Sequence, residues 1–209
     1  MNSMMLAMLL AAAQAGTAEG DPAFRNAAAA CGAKVEGVEA IAAFLELRPN
    51  QTIAEYQPDF VLTGCLAEAV RGRGRFLAVV EGGDRIVQVV RRAETQNAMK
   101  RAPALYSGAG LVAIKPGKPA PAEHSGKADR ILITGSAKEM VADPKRGAGL
   151  LRTLLEMTAP SGLLGIVDVP GKGGVDEAKL AAIAAAAGWQ PAGRTVTGGG
   201  LMLLKFRRG

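Results

Sequence analysis

The stretch from Gln51 to Gly83, QTIAEYQPDFVLTGCLAEAVRGRGRFLAVVEGG, constrains the fold more than any other part of the chain. A short apolar run over residues 52–56 ends in turn-forming residues at Gln57, Pro58 and Asp59. An amphipathic run, 61–70, follows, then a basic glycine loop, 71–75. A second apolar run, 76–80, stops at Glu81 and Gly82-Gly83. The order is strand, turn, helix, loop, strand, acid. Two parallel strands need a crossover of roughly a dozen residues or more, and the intervening run supplies it. The stretch predicts the opening βαβ unit of a nucleotide-type α/β sheet, in which a ligand lies beyond the carboxyl ends of the strands. Those ends are residues 56–59 and 81–83 here.

The rest of the chain continues the pattern. Residues 35–47 place Val38, Ile41, Ala42 and Leu45 at helical spacing, with Pro49 as the boundary. Residues 84–102 form a second crossover. Its β-branched Ile86, Val87, Val89 and Val90 favour helix weakly, so length and neighbours carry that expectation. A third strand is expected at 111–114, and a Pro-, Gly- and Lys-rich stretch at 115–127 reads as a simple surface loop, with a mobile flap beside the site as the alternative. A fourth strand follows at 129–134. Residues 136–157 read as helical around a break at Pro144 and Gly147. Pro160, Ser161 and Gly162 read as a turn. Residues 163–169 are the most apolar strand, as in the middle of a parallel sheet. The helix expected at 175–187 has Asp176 and Glu177 in its first turn, where the dipole favours acids, and Gly188 just past its end. Two closing strands, 189–197 and 201–207, flank a triple-glycine turn.

These residues resemble class I S-adenosylmethionine-dependent methyltransferases. In cadence they are closest to an exported bacterial group of "predicted methyltransferases". The lead-in Phe44-Leu45-Glu46-Leu47-Arg48-Pro49-Asn50 matches the group's F-x-x-hydrophobic-(Lys/Arg)-Pro-Gly. Ile53-Ala54-Glu55-Tyr56 matches its first strand with an acid. Glu81 matches the acid that holds the cofactor's ribose hydroxyls in the family. Ala128-Asp129 resembles the lead-in to the family's fourth strand, where the acid is structural, and TAPSG resembles L-x-P-G-G before the fifth. The ending, GWQPAGRTVTGGGLMLLKFRR, is similar to the family's closing antiparallel hairpin. A nicotinamide-binding sheet would not need that hairpin, and its G-x-G-x-x-G turn is absent.

The resemblance covers residues 44–207. It implies an α/β, three-layer Rossmann-like fold with a mostly parallel seven-stranded sheet and a C-terminal antiparallel hairpin. It also implies S-adenosylmethionine as cofactor, with Glu55, Gln57, Asp59, Glu81 and Gly82 as candidate contacts. The turn departs from the family: its three glycine positions hold Gln57, Asp59 and Val61. Glycine there permits positive φ and close backbone approach, and β-branched Val61 does not. Asp59 puts a negative charge beside the methionine half of the cofactor. Two readings follow. One is an exported methyltransferase-like enzyme. The other is a catalytically inactive methyltransferase fold kept as a binding or interaction module.

Composition bounds both. At 209 residues the chain is long enough for one domain with a sizeable core. The net charge of +6 is scattered, with no basic run interleaved with aromatics, so nucleic-acid binding is not expected. Residues 4–13 form a short apolar run before Ala13-Gln14-Ala15, a small-x-small cleavage pattern. No Lys or Arg precedes Arg25. The run is shorter than the roughly 20 residues of a bilayer span. Residues 1–15 are therefore expected to be a signal peptide, 16–34 a linker and 35–209 the domain, in a periplasmic or secreted protein. Cys31 and Cys65 fit a disulfide or two free thiols. His124 is the only histidine and lies in a loop, so no Ser-His-Asp or multi-His metal site is nominated. Residues 170–174, PGKGG, lack the full phosphate-loop pattern.

Overall fold

A computed structural model describes residues 38–48, 50–58, 74–82, 109–168 and 175–209. The strands are β1 (Thr52–Tyr56), β2 (Arg75–Glu81), β3 (Ala109–Ile114), β4 (Ala128–Thr134), β5 (Thr158–Asp168), β6 (Trp189–Val196) and β7 (Met202–Arg208). They form one sheet in the order β3-β2-β1-β4-β5-β7-β6. β1 to β5 pair in parallel, and β7 runs antiparallel to both β5 and β6. The helices are α1 (Val38–Phe44), α2 (Ala137–Ala142), α3 (Pro144–Met157) and α4 (Glu177–Ala186). This is the Rossmann-like methyltransferase fold, with a parallel centre and an antiparallel C-terminal edge.

Strand side chains alternate between two cores, as the period of two requires. Ala54, Tyr56, Leu77, Val79, Ile131 and Ile133 share a cluster with residues of α2, α3 and α4. Ile53, Phe76, Ala78 and Leu132 pack with Ile41, Ala42 and Leu45 on and just after α1. The same alternation turns Glu81 to the α3 side. Ile131, Leu132 and Ile133 are all fully buried, which is the mark of a strand covered on both faces.

Buried Arg130 fastens α1 to β4. Its guanidinium donates to the carbonyls of Leu45 (2.5 Å), Asp129 (2.7 Å) and Glu46 (3.3 Å). Burial holds its pKa below the ordinary arginine value. Asp129 is structural, as the resemblance implied: its Oδ2 accepts from the Thr52 amide at 2.8 Å and joins β4 to β1. Trp189 is buried, and its Nε1 donates to the Leu151 carbonyl at 2.9 Å.

Two local expectations need correction. Gly147 does not break the helix. The break falls at Asp143, whose side chain caps α3 by accepting from the Arg146 amide at 3.0 Å, with Pro144 at the first helical position. Gly147 instead lets α3 approach α2, since a Cβ there would sit 2.9 Å from the Met140 carbonyl oxygen. The expected turn at residues 160–162 lies within β5. It sits in a bulge: Ala128 pairs with Thr158 and Arg130 with Leu163, so the single residue Asp129 of β4 faces residues 159–162 of β5. The loop after β3 lies at the surface as expected, and it is tied to α3. The Thr153 hydroxyl donates to the Lys118 carbonyl at 2.7 Å, and Glu156 accepts from the Ala120 amide at 2.8 Å. His124 ends a short 3-10 turn in that loop, Ala122–His124.

The crossover helices expected at 61–70 and 84–102, the loop at 170–174, the N-terminal segment, Cys31, Cys65 and Asp59 lie outside the described residues. Among the described residues no helix is long and apolar enough to cross a membrane, and no cluster of acidic, histidine or cysteine side chains could hold a metal ion.

Candidate functional site

β1 and β4 are neighbours at the centre of the sheet, yet β2 follows β1 in the chain. The strand order therefore reverses beside β1, and the ligand crevice of such a sheet opens there, beyond the carboxyl ends. In parallel register Tyr56 stands opposite Val79 of β2 and Ile133 of β4, so β1 ends two residues short of the level of Glu81.

Gln57 follows directly. Its φ is +49°, the left-handed conformation that glycine adopts most readily. The turn is left-handed here without a glycine. The Gln57 amide donates to the Val79 carbonyl at 2.8 Å, so the turn stays anchored to β2.

Its side chain opens a polar chain across the strand ends. Gln57 Nε2 donates to the Tyr56 hydroxyl at 3.1 Å, and that hydroxyl donates to Glu81 Oε2 at 3.0 Å. Arg146, in the first turn of α3, donates from Nε to Glu81 Oε1 at 3.3 Å and from a terminal nitrogen to Oε2 in a shorter contact. Both Glu81 oxygens are thus engaged within the protein. The Glu81 side chain is 17% exposed and that of Arg146 37%, so the pair sits at a mouth. Burial, and then the Glu81 charge, push the Tyr56 phenol well above its ordinary pKa. The hydrogen bond to Glu81 raises Arg146.

The other candidates part company. Glu55 is fully buried on the α1 side of the sheet, and its Oε1 accepts from the Thr134 hydroxyl at 3.2 Å. It is an acid under the turn, not on its open side. The Gly82 amide donates to the Ile114 carbonyl, so it extends the β2–β3 ladder. Gln57 and Glu81 are brought together through Tyr56; Glu55 lies on the other face of the sheet, and the amide of Gly82, next to Glu81, is taken up by β3.

Two participants carried no signal. Tyr56 reads as one more apolar strand residue. Arg146 lies 65 positions from Glu81, and nothing local pairs them. A hint existed in Asp143-Pro144, a helix start that would set the next residues at a strand-end mouth.

A cavity of about 500 Å³ opens beside the pair. Glu81, Gly117, Lys145, Arg146, Gly149 and Arg152 line it. Gly149 allows the loop to lie against α3: a Cβ there would be 3.0 Å from the Gly117 nitrogen. The arrangement offers a carboxylate, a phenol and a cationic helix face. Among the described residues it pairs no nucleophile with a base.

No family model and no curated protein sequence matches the chain. Solved structures do. The chain is similar to an S-adenosylmethionine-dependent methyltransferase from Aquifex aeolicus, with a TM-score of 0.60 at 16% identity over 81% of this chain and 88% of that one. It is similar to a TehB-like S-adenosylmethionine-dependent methyltransferase from Corynebacterium glutamicum, at 0.58 and 16% over 89% and 94%. It is also similar to the glycopeptide N-methyltransferase MtfA, solved with S-adenosylhomocysteine, at 0.62 and 14% over 85% and 89%. At these identities the likeness is one of fold.

Proposed function

We propose that this chain is an exported, methyltransferase-like protein that binds S-adenosylmethionine at the carboxyl ends of β1 and β2. One arrangement carries the reading. A carboxylate, Glu81, ends β2 beside a left-handed turn at Gln57 that ends β1, next to the point where strand order reverses. The residues fit the cofactor in two respects: an acid where ribose hydroxyls need an acceptor, and a turn that brings backbone to the crevice without a glycine. The fit requires Arg146 to yield at least one Glu81 oxygen.

Bound S-adenosylmethionine supplies an electrophilic methyl group, which needs mainly a well-placed acceptor. In this reading Glu81 accepts from the ribose hydroxyls and Tyr56 holds the carboxylate in orientation. Glu55, under the turn, keeps β1 and β4 in register through Thr134. Export rests on the apolar run at residues 4–13 and the small-x-small pattern after it. Intact mass of the periplasmic protein should show residues 1–15 removed.

A second reading is favoured by one observation: both Glu81 oxygens are already engaged, by Arg146 and Tyr56. In it the fold is kept as a non-catalytic binding module. Calorimetric titration with S-adenosylmethionine and S-adenosylhomocysteine tests both. Saturable binding that Glu81→Ala weakens at least tenfold supports the shared site. Formation of S-adenosylhomocysteine in the presence of hydroxyl, amine or thiol acceptors then selects the enzyme, and binding without turnover selects the module. Absence of heat at millimolar ligand ends the enzyme reading and leaves the module.

A further inference from the structure

Arg146 belongs to two places at once. It is bonded to Glu81, and it lines the cavity together with Lys145 and Arg152. Three cations there face two carboxylates, Glu81 and Asp143. Asp143 is committed to the helix cap through the Arg146 amide. Lys145 and Arg152 stand seven residues apart, about two helical turns, on one face of α3. Gly149 lies between them, and the backbone of Gly117 closes the floor. Arg152 uses one donor on the Ala186 carbonyl at 3.2 Å, and a guanidinium has five. Such a fork matches phosphate geometry.

We propose that this cavity is a phosphate-binding site, for free phosphate or a phosphate-bearing small molecule, coupled to the nucleoside crevice through Arg146. A phosphate held by Lys145 and Arg152 competes with Glu81 for the Arg146 guanidinium. As Arg146 turns to the phosphate, the Glu81 carboxylate is freed for ribose hydroxyls. Each ligand then tightens the other by the same factor, as linkage demands. The coupling rests on the nucleoside reading above; the anion site does not.

The test is calorimetry at constant ionic strength, with chloride as the balancing anion. S-adenosylhomocysteine is titrated without phosphate, with inorganic phosphate and with glycerol 3-phosphate. Phosphate should raise its affinity about fivefold or more, the usual lower range of such coupling. The gain should vanish in the Lys145→Ala/Arg152→Ala double variant. Arg146→Ala should bind S-adenosylhomocysteine as tightly as the phosphate-loaded native protein, with no phosphate dependence; a merely structural role for Arg146 would weaken it instead. A larger gain with glycerol 3-phosphate marks a phosphorylated small molecule, and an equal gain marks free phosphate. An affinity unchanged or lowered by phosphate overturns the coupling. If S-adenosylhomocysteine does not bind under any condition, the nucleoside reading falls alone. The anion site is then decided by direct phosphate titration, and overturned if phosphate heat is absent or survives the double variant.

Discussion

Gln57 holds a left-handed turn that glycine would hold at less cost. The residue adopts φ +49° without being glycine. For an L-residue the left-handed region costs on the order of 1–2 kcal/mol, and the Nε2–Tyr56 hydrogen bond offsets about 1 kcal/mol of it. Gln57→Gly should therefore leave stability within about 1 kcal/mol of the native value. Gln57→Val should lose roughly 1–3 kcal/mol in urea denaturation. A valine variant of native stability would remove the left-handed turn from the account. Tyr56 makes a second prediction. Its folded-state pKa is raised above the ordinary 10.0, so the neutral phenol is favoured by folding. Its contribution is complete below pH 10 and is lost as pH climbs beyond it, because the unfolded chain releases the proton first. Stability should decline above pH 10 by up to about 1.4 kcal/mol per pH unit from this group. Tyr56→Phe should flatten that decline; an unchanged slope would contradict it. Glu81 was legible because an acid ends an apolar run. Arg146 was not, because a contact between β2 and α3 leaves no periodic trace in either segment.

At the scale of elements, strands were easier to read than the packing between helices. β1 is bounded by turn-formers, and the hairpin of β6 and β7 is marked by three glycines, so both could be placed from their residues. Gly147 misled because glycine inside a helical run signals both a break and a close contact. Here the contact wins. In an exposed helix Gly→Ala gains about 1 kcal/mol. At 147 the new Cβ would meet the Met140 carbonyl oxygen at 2.9 Å and Cβ at 3.0 Å. Gly147→Ala should destabilise by roughly 1–3 kcal/mol through overpacking of α2 on α3. A stability gain in thermal or urea unfolding would show that the two helices can separate freely. TAPSG misled for a related reason. Its Pro and Gly do interrupt regular pairing, but as a bulge inside β5 that returns to register at Leu163.

Taken whole, the molecule has the strand order β3-β2-β1-β4-β5-β7-β6, which sets its crevice at the ends of β1 and β2. The mostly parallel sheet and its closing antiparallel hairpin could be anticipated from segment type and length; the neighbour order of the strands could not. The state of the crevice could not, since it depends on an arginine delivered by a helix after β4. The central claim is one of location: a nucleoside ligand belongs at Gln57 and Glu81. Hydrogen-exchange mass spectrometry with and without saturating S-adenosylhomocysteine addresses it most directly. The account predicts added protection in peptides over residues 52–58 and 75–82 and the first turn of α3, with the β6–β7 hairpin unchanged. Protection confined to the hairpin, or none at the ends of β1 and β2 at saturating ligand, would contradict it.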